Sequence, residues 1–201
     1  GRNDVHVRIV ADGVSRFDAL TPSGYSGKAW AIVNPNSYPV LMPPGLAVSQ
    51  VRFFNRDTRL SELEMELAYT RENPFVCYAN GDPVTYSKMV ANDHDGSLIL
   101  SIDLAHAIAG YAAKRTQEVF DFGAPTGSVE WRDFFDEVHV RRRVLEAERD
   151  RFYILSTLET LRVPPNYACE AVDPDSRSGD FRSHYAGYID PGWGYGKDGE
   201  G

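Results

Sequence analysis

The chain has 201 residues, 42% of them hydrophobic and 12% aromatic, enough to build one sizeable core or two small ones. A formal net charge of −8 disfavours generic binding to a nucleic-acid polymer, which relies on clustered Lys and Arg, and leaves a small polyanion gripped by a few local arginines as an option. No run approaches the roughly 18 apolar residues of a membrane span, and GRNDVHVRIV lacks the basic, apolar and cleavage regions of a signal peptide, so the expectation is a cytoplasmic protein without a membrane partner.

Residues 5–10, VHVRIV, alternate apolar and polar and predict a half-buried strand. KAWAIVNPN at 28–36 predicts a second strand that ends in an Asn-Pro turn. Residues 38–54 predict two strands bent at Pro43-Pro44-Gly45, where fixed φ is followed by a permissive residue. The composition then changes. Leu60, Leu63, Leu67 and Ala68 fall on one helical face, with Asp57 or Thr58 as the start and Asn73-Pro74 as the stop.

The polar NDHDG at 92–96 closes this helical connector, and SLILSIDL at 97–104 reopens the β pattern. GYAAKRTQEVFDFGAPTGS predicts a strand and a loop, and EWRDFFDEV a short helix. VRRRVLEA, FYILSTLETLRVPP and YACEAV predict successive strands with a corner at Pro164-Pro165. Many short strands and one convincing helix make the chain mainly β. GRNDVHVRIVADGVSRFD…GYSG is faintly echoed by GDFRSHYAGYID…GWGYG, which suggests two related β units.

Chemistry concentrates near the end. Asp190 follows Ile189 and precedes Pro191-Gly192, so its carboxylate either acts on a water or sugar hydroxyl or caps the turn through its side chain. Arg182 and His184 share one face of an extended segment, with Arg177 upstream; guanidinium forks suit phosphate oxygens, and a solvated edge is the alternative. Tyr188 and Trp193 flank Asp190 and offer faces to a flat base, or simply pack. Arg141-Arg142-Arg143 is a basic run on an expected surface strand.

His94 between Asp93 and Asp95 has the look of a metal cluster but fits a polar loop better, and no metal site is expected. GxGxxG, P-loop, HExxH and zinc-deaminase patterns are all missing. Cys77 and Cys169 lack CxxC spacing and are expected as free thiols.

FYILSTLETLRVPPNYACEAV followed by GDFRSHYAGYIDPGWGYG resembles the dCTP deaminase and dUTPase superfamily. Ala186, Gly187, Tyr188, Ile189, Asp190, Pro191, Gly192 and Trp193 fit its AG-x-IDPG(F/W) turn residue by residue. FDALTPSGYSGKAWAIVNPNSYPVLMPPGLAVSQVRF is similar to the strands around the family's catalytic Glu and its PG-x-x-x-x-Q-x-x-F segment. The specific resemblance is to the long, duplicated dCTP deaminase form. It implies dUTPase-like distorted β-barrel (β-clip) units in tandem: residues 1–54 as the back of the first repeat, 55–93 as a helical connector, and 94–201 as the front and middle of the second.

The implied activity is zinc-independent hydrolytic deamination of dCTP to dUTP, with a glutamate as general base and Mg²⁺ accompanying the triphosphate. Asp190 and Arg177 are implied as catalytic; Arg182, His184, Ala186, Gly187, Tyr188, Ile189 and Trp193 as substrate-binding. A homo-oligomer, trimer or pseudo-trimer, is implied as well. Ala31 stands where the first unit's catalytic Glu is expected, and the second unit's Glu is expected after residue 201, so the span is expected to be a partial chain. Alternatives are dUTP hydrolysis, alone or coupled to deamination, and a nucleotide-binding module that has lost catalysis.

Overall fold

The computed structural model describes residues 3–14, 24–50, 57–71, 75–91, 94–171 and 188–195. It is mainly β, built from short strands, and groups by contact into two compact units that interleave along the chain. One gathers the described residues up to 50 with 110–139 and 145–154; the other gathers those of 57–109, 140–144 and 155–195. Contact units and sequence repeats are different divisions: tandem repeats concern ancestry, contact units present packing.

In the first unit, β1 (Val5–Ala11) pairs antiparallel with β2 (Ala29–Pro35), from Val5↔Pro35 to Ala11↔Ala29. The β-branched residues of VHVRIVA and AWAIVNP suit this ribbon. Asp4, itself buried, closes its open end by accepting from Ser37 Oγ at 2.6 Å and Asn36 Nδ2 at 3.2 Å. Every residue of β2 is exposed, Ala31 opposite Ile9 included, and none of the seven is acidic.

Strand β3 (Val40–Leu41) is short and runs parallel to β6 (Phe120–Asp121). The strand expected after Pro43-Pro44-Gly45 is not seen over 46–50, and its remainder lies outside the described residues. Strands β5 (Ile108–Ala113), β7 (Phe135–His139) and β8 (Tyr153–Leu155) form a sheet in the order β7-β5-β8. EWRDFFDEV is helical only over the single 3-10 turn Trp131–Asp133, where Glu130 accepts from the Arg132 amide at 3.3 Å, and then becomes β7. The core is aromatic: Tyr38, Phe134 and Phe135 pack with Ala113, and the Tyr38 and Phe134 rings meet edge to face at 4.9 Å. Burial, with the charge of Asp4 second, pushes the Tyr38 phenol well above its ordinary range.

In the second unit, helix α1 spans Glu62–Arg71. It starts at Ser61, not at Asp57 or Thr58: Glu64 reaches back to accept from the Ser61 amide at 2.9 Å and its hydroxyl at 2.8 Å. Those bonds hold the Glu64 carboxyl below its usual range, the backbone amide contributing most. The expected apolar face is corrected in half: Leu60 and Ala68 do pack against the core. Leu63 and Leu67 are exposed at 66% and 44%, while Met65, Ala68 and Tyr69 form the packed stripe. Tyr69 wins the inward place because its hydroxyl donates to the Val84 carbonyl at 2.6 Å, so ring and polar tip are both satisfied. Its neighbours in this core are Phe75, Val76, Val84 and Met89, the last on the short helix α2 (Tyr86–Met89).

His94, at φ 55°, faces Glu62 with Nδ1 2.5 Å from the carboxylate, which makes it a polar brace for the helix start; Asn92 and Asp93 lie outside the described residues. Gly96 makes that approach possible: at φ +88° a Cβ would lie 2.5 Å from the Leu60 carbonyl. SLILSIDL forms isolated bridges, Val90↔Leu98 and Ile102↔Thr157, in place of a continuous strand. The arginine run is not a strand either. Arg141 bridges Val144 across a tight turn, with Arg142 and Arg143 at φ 53° and 58°, and all three are exposed.

Strands β4 (Val76–Tyr78) and β9 (Glu159–Leu161) pair antiparallel, as do β10 (Cys169–Glu170) and β11 (Tyr188–Ile189). No helix among the described residues is long and apolar enough to cross a membrane.

Candidate active site

The IDPGWGYG turn is docked on the chain that leaves β9. Successive amides along an extended strand point to opposite sides. The Arg162 amide donates to the Phe75 carbonyl at 2.7 Å, and the next amide, of Val163, donates to the Trp193 carbonyl at 2.9 Å. The Val163 carbonyl in turn accepts from the Gly192 amide, also at 2.9 Å. Val163 is 1% exposed and Pro164 is fully buried, so the turn rests on a fixed edge. This is the structural use of the VPP corner.

Within the turn the Trp193 amide donates to the backbone carbonyl of Asp190 at 3.2 Å, and the Tyr195 amide to that of Gly192 at 3.0 Å. The turn therefore closes through its main chain. The Asp190 side chain does not cap it: the carboxylate is exposed and bonds to no described residue. Tyr188 and Ile189 are half-buried on β11, and Ile189 pairs with Cys169, whose thiol burial pushes up and keeps protonated. Trp193 and Tyr195 stay 41% and 39% exposed, an unusual price for large rings in a structured turn.

The structure thus brings Tyr188, Ile189, Asp190 and Trp193 onto one strand end and its turn. Arg177, Arg182, His184, Ala186 and Gly187 lie outside the described residues. The sequence reading missed the supporting edge, Arg162 and Val163, although the VPP that marks it was in view. It also missed Asp103 and His106, a D-x-x-H pair in which the buried carboxylate holds the imidazole Nδ1.

A polar hollow of about 640 Å³ in the first unit is lined by Lys114, Arg115, Arg149, Arg151 and several carboxylates. Arg151 is engaged by Asp136 at 2.5 Å and Glu148 at 2.9 Å, and Lys114 lies 3.3 Å from Asp136. Two of its four cations are thus paired, and Glu118, Asp133, Asp136 and Glu148 balance the four in formal charge, so the hollow offers no net positive charge to an anion. Among the described residues no three His, Cys, Asp or Glu gather as a metal site would need.

Short paired strands with few helices make this a mainly β fold of the dUTPase-like class. Residues 1–57 match the 2'-deoxycytidine 5'-triphosphate deaminase N-terminal domain, and residues 76–201 match its C-terminal domain. The chain belongs to the 2'-deoxycytidine 5'-triphosphate deaminase family. Among solved structures it is similar to the 2'-deoxycytidine 5'-triphosphate deaminase from Agrobacterium tumefaciens, with a TM-score of 0.80 and 31% identity. That match covers 100% of this chain and 56% of the relative's, so the chain spans little more than half the relative's length. No curated protein sequence matches it.

Proposed function

We propose that the protein containing this chain hydrolyses dCTP to dUTP and ammonia. The oxygen of water bonds to C4 of the cytosine ring and the C4–N4 bond breaks; one proton of the water ends on ring N3 and the other leaves with the amine as ammonia. Family membership across both matched segments supports the reaction class. The observation that carries the assignment to this turn is the uncommitted Asp190 carboxylate, exposed on a turn that its main chain has already closed. Its role is to accept from the sugar 3′-hydroxyl or to orient water. Trp193 and Tyr188 offer ring faces to the nucleotide, and Arg177, Arg182 and His184 meet its phosphates.

The triphosphate arrives as its Mg²⁺ complex, as triphosphates commonly do. Strand β2 has no acidic side chain, so the glutamate general base comes from another segment. Trp30 and Ile32 on β2 are 52% and 54% exposed, and burying them against another copy supports a homo-oligomer, a trimer by family resemblance. The dCTP pool on which such an enzyme draws is cytoplasmic.

The test is incubation of the full-length protein with dCTP and Mg²⁺, following loss of cytosine absorbance and release of ammonia. Pyrophosphate release from dUTP with no change in dCTP would replace deamination by dUTP hydrolysis. Sedimentation velocity checks the assembly, and a monomer at micromolar concentration contradicts it.

A further inference from the structure

We infer that Arg162 latches the turn by stacking on Tyr195 and thereby sets the affinity of the site for nucleotide; the second half of this inference rests on the function proposed above. The Arg162 guanidinium carbon lies 4.8 Å from the centroid of the Tyr195 ring, within cation–π range. No carboxylate among the described residues pairs with Arg162, so its side chain is committed to this ring. Its backbone is anchored from the other side by the 2.7 Å bond from its amide to Phe75, and its neighbour Val163 makes both main-chain bonds to the turn.

Tyr195 is the last ring of the turn, and its amide bonds to Gly192, whose own amide is one of the two anchors. Holding the ring therefore holds the backbone that presents Asp190 and Trp193. The two bonds to Val163 fix the middle of the turn, Gly192 and Trp193, to the edge; Tyr195 is tied by its amide only within the turn, and Arg162 ties its ring to the edge. Arg162 touches no reacting atom in this scheme and is a positioning residue.

The experiment combines two readouts on the full-length protein and its Arg162→Ala, Arg162→Lys and Tyr195→Phe variants. Amide hydrogen exchange reports the turn directly, and steady-state kinetics with MgdCTP report the site. Arg162→Ala is expected to speed exchange at Gly192, Val163 and Tyr195 and to raise KM about two- to five-fold with kcat unchanged, the range of an exposed cation–π contact. Lysine at 162 recovers most of both effects, and Tyr195→Phe, which keeps the ring, behaves as the parent. Unchanged exchange in Arg162→Ala overturns the latch. Faster exchange with an unmoved KM reduces Arg162 to a structural role and overturns the positioning claim. If the parent neither binds nor converts dCTP, the proposed function falls and takes the nucleotide half of the inference with it, while the exchange data still decide the latch.

Discussion

Gly194 lies against the carbonyl of Leu161 so closely that a Cβ there would sit 3.1 Å from the oxygen and 3.3 Å from Arg162 Cγ. The carbonyl belongs to β9, which is held by its pairing to β4, Val76 opposite Leu161, and cannot yield cheaply. Gly194 also adopts φ +74°, where a side chain costs about 1–2 kcal/mol. Gly194→Ala is therefore expected to lower stability by at least about that amount and to lift the turn from its edge. Thermal unfolding measures the first effect and KM for dCTP the second; an alanine variant indistinguishable from the parent in both would refute the close-approach account.

Asp190→Asn separates structure from chemistry at the same turn. The carboxylate makes no bond to a described residue, so the variant should keep its unfolding free energy to within about 0.5 kcal/mol. A charge-assisted hydrogen bond to substrate is worth about 1.5–3 kcal/mol, which puts the expected loss of kcat/KM at about ten-fold or more. Unaltered turnover in a stable variant would return Asp190 to a passive surface residue.

Local pattern made the ribbon and the turn legible. Alternation marks β1, the KAWAIVNPN segment ending in an Asn-Pro turn marks β2, and the DPG sequence marks the turn. What stayed hidden depended on partners distant in the chain. Leu63 and Leu67 outrank Tyr69 in hydrophobicity, and only the Val84 carbonyl, in another segment, explains why the tyrosine is inside. Arg142 and Arg143 adopt positive φ without the Asn or Gly that advertises such a turn. The Asp190 carboxylate and carbonyl are equally plausible turn acceptors in the sequence, and geometry alone distinguishes them. Arg162 was invisible as a site residue because its ring partner arrives from the far end of the second unit's chain.

Two core substitutions in the second unit rank cavity against hydrogen bond. Met89 is 2% exposed, and Met89→Ala is expected to cost about 2–5 kcal/mol through lost transfer energy and the void left behind. Tyr69→Phe keeps the ring and removes the hydroxyl's 2.6 Å bond to the Val84 carbonyl together with its longer 3.4 Å contact to the Val76 carbonyl, at a cost of about 1–2 kcal/mol. Burial raises the Tyr69 phenol to about 12, so it remains a donor throughout the working range. Urea unfolding with unchanged slope should show Met89→Ala with the lower midpoint; the reverse order would mean that the site collapses around the missing side chain.

Asp103 supplies the pH dependence. Its Oδ1 accepts from the Ala105 amide at 2.8 Å and its Oδ2 meets His106 Nδ1, and these contacts, the amide first, hold the carboxyl below its ordinary range. A carboxyl with a lower pKa in the folded state than in the unfolded one stabilises the fold above the unfolded value, about 4. That contribution fades as pH falls from there through the folded value, because the unfolded chain takes up the proton first. Asp103→Asn keeps an oxygen for the Ala105 amide and removes the charge. The variant should be less stable than the parent at pH 7, with the gap between their urea midpoints closing as pH drops below about 4. A gap that stays constant down to pH 3 would mean that the charge contributes nothing and that the difference is one of shape.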